Sequence, residues 1–482
     1  MLFPTLQFGM FFFAVFMVSW GLNHLNSLKK CFLLLCSLIF YCSWDPQFLP
    51  LLIGCTLLNH LLGLGIDRLE RGLPLGGLTK KGLLIAGIGV NLSILGLFKY
   101  SGFLGSNLNT VLSATGFSFR LPIPDLLLPL GISFFTFQGI SYIVDVYSGR
   151  MKVRRSPLDV MLFICFFPHL VSGPIVRASE FIPQLDAPPN PHLVDANRAL
   201  VLIFCGLFKK LVLANYLAID LVDPVFEAPL KHGGLDSWLA FYGYSMQIYC
   251  DFSAYSDMAI GFAALLGYRF PENFNQPYRA ASLQDFWRRW HISLSSWLRD
   301  YLFISLGGSR AGRIKTYRNL FLTMLLGGIW HGAAWTFVFW GALHGTGLAI
   351  ERFIKERSVK ERFPEGTPTD GQGAGLFSTL FVFHFVSFGW IFFRSESFRK
   401  ALDFLHSMGD FSRLSVRFTP FTVLIVAAGA LLHFLPANAG DRIIVWTGKI
   451  PAPLLGVACG TLLLLLSSLS PYEVAPFIYF RF

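Results

Sequence analysis

Two histidines, His331 and His344, stand inside residues 320–350, LFLTMLLGGIWHGAAWTFVFWGALHGTGLAI, an apolar stretch long enough to cross a bilayer. An ionisable side chain at membrane depth is costly, so a functional role is the first hypothesis. His331 lies in Gly327-Gly328-Ile329-Trp330-His331-Gly332, where missing side chains let a second backbone or a ligand come close. An imidazole with a reference pKa of about 6.5 is mostly neutral at physiological pH and can take a proton from a hydroxyl. These residues predict a reaction chamber around His331, with Trp330 lining the substrate path. On a continuous helix at about 100° per residue, His344 falls nearly opposite His331 and reads as structural.

Three further groups could act with that histidine. In YCDFSAYSD, Asp251 and Asp257 are carboxylates within a mainly apolar helix and must face an interior, paired with a base or touching substrate. In residues 284–301, QDFWRRWHISLSSWLRDY, Trp287, Trp290, Leu294, Trp297 and Tyr301 recur at helical spacing with His291 on the same face. That spacing predicts one amphipathic helix along the cytoplasmic interface. Arg288, Arg289 and Arg299 could there grip phosphates, or simply anchor lipid headgroups. The last run, PFIYFRF, is aromatic where a chain end is ordinarily polar, so it should dock, and Tyr479 is its one hydroxyl.

The elements that must position these groups are membrane helices. Of 482 residues, 54% are hydrophobic and 14% charged, with 51 phenylalanines and a mean hydropathy of +0.56. This composition excludes a soluble domain and predicts an all-α polytopic membrane protein of ten to twelve spans. No basic region precedes the first apolar segment, which is expected to stay in the mature protein. The net charge of +11 belongs mainly to cytoplasmic loops, such as residues 67–81 and the Arg150, Lys152, Arg154, Arg155 cluster. Residues 161–176, MLFICFFPHLVSGPIV, carry Pro168, Gly173 and Pro174 and read as re-entrant. Residues 351–375 read as a flexible cytoplasmic connection. The eight cysteines form no C-x-x-C pair and the other histidines no H-x-x-x-H or H-E-x-x-H spacing, so metal-free chemistry is expected.

Several segments together resemble the membrane-bound O-acyltransferase family, most closely its alginate O-acetyltransferase type. They are FFPHLVSGPIVRASEFIPQL from Phe166, DFSAYSDMAIG from Asp251, FWRRWHISLSSWLRDYLFISLGG from Phe286, GGIWHGAAWTFVFWGALHG from Gly327, and the PFIYFRF ending. The resemblance implies a ring-like helical fold with re-entrant segments and a central tunnel, one domain over residues 1–482 with core motifs at about 130–345 and a tail at 471–482. It implies an enzyme of the bacterial cytoplasmic (inner) membrane, with no bound cofactor, that takes an acyl group, expected to be acetyl, from cytoplasmic acetyl-CoA. The group passes through the membrane to an extracytoplasmic polysaccharide, alginate-like first, with peptidoglycan or cellulose as alternatives. A periplasmic or extracellular acetyl-esterase-like partner is expected, and no nucleic acid. His331 matches the family's catalytic histidine and His291 its second motif histidine, while Tyr479 becomes a candidate acyl carrier. Two other classes stay open: a proton-coupled transporter using Asp251, Asp257 and His331 as a relay, and a scaffold for polysaccharide export.

Overall fold

The computed structural model describes residues 1, 3–310, 312–362, 375–436, 438–470 and 477–478. Every regular element among them is helical. They gather into two compact units, one of Met1–Leu200 with Met258–Pro271, the other of Val201–Asp257 with Glu272–Phe482. In chain order the helices are α1 Leu6–Gly21, α2 Asn26–Cys42, α3 Leu49–Glu70, α4 Lys80–Ala114, α5 Ile132–Tyr147, α6 Pro157–Cys165, α7 Phe167–Leu170, α8 Ala178–Phe181, α9 Ala196–Phe208, α10 Asp223–Glu227 and α11 Gly234–Leu265. There follow α12 Leu283–Arg289, α13 Ile292–Trp297, α14 Arg313–His331, α15 Trp335–Arg362, α16 Leu376–Arg394, α17 Phe398–Ser407, α18 Pro420–His433, α19 Ala439–Thr447 and α20 Ala452–Leu469.

Among the described residues, five stretches are long and apolar enough to cross a membrane by length and composition: Pro46–Glu70, Lys80–Ala114, Ala196–Glu227, Leu376–Arg394 and Ala452–Leu469. Two shorter apolar helices, Leu6–Gly21 and Pro420–His433, accompany them. This is a multi-pass membrane protein, although only part of the expected ten to twelve spans meets that criterion. The stretch carrying His331 and His344 is not among the five. It turns back on itself at residues 332–334, between α14 and α15.

In the first unit α3 packs on α4 and α5. Asn59 of α3 and Asn91 of α4 exchange amide hydrogen bonds of 2.9 and 3.1 Å, which satisfies two buried polar groups that lipid could not. Residues 161–176 are broken, as their prolines predict, into α6, the single turn α7 and an irregular run, almost all of it buried. In the second unit the chain after α9 loosens into π-helical turns over Lys209–Ala214 and Leu217–Val222. Such widened turns recur at functional sites. Of the expected flexible connection over residues 351–375, residues 351–362 are instead helical, because α15 continues through them, and residues 363–374 lie outside the described residues.

Candidate functional site

The described site residues fall within the second unit, and the tightest framework there is the α14–α15 hairpin. Glycine, not a gap, makes it. A Cβ on Gly341 would stand 2.6 Å from the Met324 carbonyl oxygen, one on Gly345 2.9 Å from the Phe321 backbone, and one on Gly328 would collide with the Phe337 carbonyl oxygen. The Gly327-Gly328 pair and the GxxxG of Gly341 and Gly345 therefore let two helix backbones touch. The room that the sequence suggested beside the imidazole is taken by α15. Gly332 ends α14 in an extended conformation, φ −162° and ψ 154°, with the Phe337 ring where its side chain would be.

His331 consequently occupies the last position of α14, 5% exposed. Its ring meets Trp330, Trp340 and Phe393 edge-on, at centroid distances of 5.0, 5.2 and 5.2 Å. Because the chain turns between them, His344 is not on the far side of the same helix. It lies on α15, fully buried, 4.8 Å from Trp340 and 5.2 Å from Trp287, so Trp340 contacts both histidines. Neither His344 ring nitrogen has a hydrogen-bond partner among the described residues. Trp340 also stacks on Trp390 of α16, which reaches Trp290, and Trp290 reaches Phe274. An unbroken line of rings thus runs from His331 toward His291.

The second histidine corrects the sequence reading of its segment. Residues 284–301 are not one helix: α12 ends at Arg289, Trp290 is extended, and His291 adopts φ +42°, ψ 56° before α13 begins. A left-handed conformation is costly for such a residue and persists where the surroundings fix it. Here they do. The Ile292 N–H donates to the Asn273 carbonyl at 2.9 Å, and the Asn275 N–H to the Arg289 carbonyl at 2.9 Å. Asn273 Oδ1 accepts from the Ser293 N–H and hydroxyl at 3.2 and 2.8 Å, while Asn273 Nδ2 donates to Ser256 of α11 at 2.9 Å. His291 Nδ1 is 3.1 Å from that same accepting oxygen, so Nδ1 carries the proton and the Nε2 lone pair is left over. Nε2 is buried without a partner among the described residues.

The carboxylates of α11 do face an interior, and each has a cation. Lys210 Nζ is 2.7 Å from Asp251 Oδ1, and Lys209 Nζ is 2.5 Å from Asp257 and 2.8 Å from the Ser253 hydroxyl. Both lysines come from the first π-helical turn. The arginines are not brought together. The break at His291 takes Arg288 and Arg299 off a common line. Arg288 is exposed and makes no ion pair or hydrogen bond among the described residues. Arg289 is bound to Asp285 at 2.9 Å and Arg299 to its neighbour Asp300 at 2.6 Å. Of the tail, Phe477 and Ile478 are described and both are 3% exposed, in keeping with a docked chain end. Tyr479 lies outside the described residues. Asn273, Trp340 and Phe393 were missed in the sequence because nothing in their spacing links them to either histidine. Lys210 was visible as a charge inside an apolar segment, without its partner.

The membrane-bound O-acyltransferase family model matches residues 151–387, the region that contains both histidines. The chain is 40% identical over 450 residues to the "Probable alginate O-acetylase AlgI" of Pseudomonas putida, covering 92% of this chain and 88% of that protein. The protein of the same name from Azotobacter vinelandii is 36% identical over the full length of both chains. The peptidoglycan O-acetyltransferase of Helicobacter pylori is 38% identical over 413 residues, 80% of this chain and 75% of that protein. The chain belongs to the membrane-bound O-acyltransferase family. It is an O-acyltransferase.

Proposed function

We propose that this acyltransferase moves an acetyl group from cytoplasmic acetyl-CoA across the bacterial cytoplasmic membrane for O-acetylation of an extracytoplasmic polysaccharide, alginate-like in the first instance. What carries the reading is His331, a buried imidazole at a helix end inside the family-matched segment, with three aromatic rings packed around it. His331 acts as general base: it takes the proton of the attacking hydroxyl as that oxygen adds to the thioester carbonyl. The carbon–sulfur bond then breaks and the imidazolium returns the proton to the departing thiolate, leaving an ester and a free thiol. The His291 Nε2 lone pair serves positioning. The attacking hydroxyl is the Tyr479 phenol, which with a pKa near 10 needs such a base at neutral pH. An acetyl-esterase-like partner outside the membrane then passes the acetyl group to the polymer. Arg288, with Arg289 and Arg299 near it in sequence, meets the phosphates of the donor.

The relatives named for alginate and for peptidoglycan support an acetyl group and a carbohydrate polymer as its destination. The test is twofold. Purified protein given acetyl-CoA releases thiol, and the His331→Ala variant, inserted at normal level, does not. Deleting the gene removes ester-linked acetate from secreted polysaccharide and leaves wall acetate unchanged; the opposite pattern assigns the enzyme to peptidoglycan.

A further inference from the structure

Three side-chain rows run along α11, each a pair four residues apart and so on one face. Ser253 and Asp257 hold Lys209. Phe252 and Ser256 face the His291 turn: Phe252 is 4.6 Å from the His291 ring, and Ser256 accepts from Asn273. Asp251 and Tyr255 receive the chain end. The Ile478 N–H donates to Asp251 Oδ2 at 2.8 Å, and the Phe477 ring lies 4.9 Å from Tyr255 and 5.8 Å from Phe252. Asp251 is therefore shared, one oxygen on Lys210 and the other on a backbone donor 227 residues further along the chain.

A buried ion pair is weak support for stability, since apolar side chains of similar volume commonly do as well. A buried backbone N–H, by contrast, needs an acceptor. The lysine gives one carboxylate oxygen a cation among apolar side chains, and the other oxygen accepts from the tail. We infer that Asp251, held by Lys210, is the seat of the C-terminal segment: it fixes the register of Phe477 and Ile478, from which the chain continues directly into Tyr479. Phe252 is the common wall, touching the tail through Phe477 and the catalytic region through His291. The consequence for transfer rests on the reading of Tyr479 as acyl carrier; the seat itself does not. Asp251 is on this account a positioning residue for the chain's own tail and not a contact for the acyl donor.

The experiment follows trimming of the C-terminus of the purified full-length protein by carboxypeptidase Y, with mass spectrometry of the released residues and polymer acetylation measured in parallel. Asp251→Ala and Ile478→Pro, which delete the acceptor and the donor in turn, should each be trimmed roughly tenfold faster or more, the order expected for a lost charge-assisted hydrogen bond. Ile478→Pro alters only the chain end and keeps the test usable where Asp251→Ala fails to insert. Two double variants separate seating from charge balance. Asp251→Asn with Lys210→Met retains an accepting oxygen without buried charge and should be trimmed as slowly as the parent. Asp251→Ala with Lys210→Ala is equally neutral, lacks the acceptor and should be trimmed fast. Equal trimming of the two double variants, or slow trimming of Ile478→Pro, overturns the seat. Fast trimming with full polymer acetylation supports the seat and sinks the carrier role of Tyr479. Slow trimming with acetylation lost on His331→Ala leaves the seat standing and supports the proposed base.

Discussion

His331 and His291 are buried in the same unit and are held in opposite ways. His331 stands on an ordinary helix, at its end, between rings of Trp330, Trp340 and Phe393. Its position is set by backbone contact between α14 and α15, through glycines several residues away. His291 stands at a break, in a left-handed conformation, fixed directly by hydrogen bonds to Asn273. His331 can be exchanged for a side chain of similar volume without disturbing the glycine contacts between α14 and α15, whereas the strained turn at His291 and its polar network go together. Loss of chemistry and loss of structure should therefore separate cleanly at His331 and blur at His291.

The largest expected effect tests the clean side. His331→Ala and His331→Gln should lower acyl transfer by about 10² to 10⁴, the usual contribution of a positioned acid or base, with normal insertion; the glutamine variant, closer in volume, should keep the parental melting temperature, while the alanine variant leaves a cavity and melts lower. Polymer acetylation at the parental level in either variant would remove His331 from the proton-transfer step. On the other side, Asn273→Ala removes the oxygen that orients the His291 ring and that accepts from the Ser293 N–H and hydroxyl. Transfer should fall roughly 10- to 100-fold and the melting temperature should fall too, since each unsatisfied buried group costs about 1–3 kcal/mol. His291→Asn, chosen because asparagine tolerates the left-handed region, should keep the melting temperature and lose activity. A transfer rate unchanged in His291→Asn, measured at equal expression, would make the strained turn a structural feature only.

The comparison is sharpened by the hairpin glycines, which position His331 without touching it. Gly341→Ala sets a methyl 2.6 Å from the Met324 carbonyl oxygen and 3.0 Å from the Leu325 Cα, so the helices must separate. Overpacking of this kind costs about 1–3 kcal/mol. Gly456→Ala on α20, with nothing within 4 Å of the new methyl, should leave stability unchanged or raise it slightly, because alanine favours the helix. Equal melting curves for the two variants would mean that the α14–α15 contact does not hold the site.

Much of this was legible in the sequence and some of it could not be. The helical membrane class follows from composition, and the interior placement of Asp251 and Asp257 follows from the cost of a carboxylate in an apolar helix. The burial of Phe477 and Ile478 follows from an aromatic chain end. The turn at residues 332–334 escaped because Gly-Ala-Ala carries no charge or proline and hydropathy runs straight across it. The break at His291 escaped because Trp287, Trp290, Leu294 and Trp297 keep helical spacing on both sides of it. Periodicity reports which side chains face inward and is blind to one residue of reversed φ. Pairings such as Lys210 with Asp251 depend on which helices become neighbours, which local patterns do not encode.

The smallest expected effect concerns the arginines that a continuous helix would have aligned. With the helix broken at His291, Arg288 and Arg299 no longer act as one grip, and their local partners decide what each can offer. Arg299 is already bound to Asp300, and Arg289 to Asp285 by two oxygens at 2.9 Å. A phosphate must compete with those carboxylates before it gains either guanidinium. Arg288 is exposed with no such competitor among the described residues, so it can pair with a phosphate at little cost beyond side-chain ordering. An exposed pair of this kind is worth about 0.2–1 kcal/mol, which is roughly a one- to fivefold change in KM. Arg288→Ala should raise the KM for acetyl-CoA within that range, leave kcat unchanged, and lose its effect as salt screens the interaction. Arg299→Ala should change KM less, because it removes Asp300's partner together with its own charge. If Arg299→Ala raises KM more than Arg288→Ala at low salt, the Asp300 pair opens on donor binding and the two arginines cooperate despite the break. If neither variant moves KM, these arginines belong to the lipid headgroup layer, and the donor's phosphates are met elsewhere.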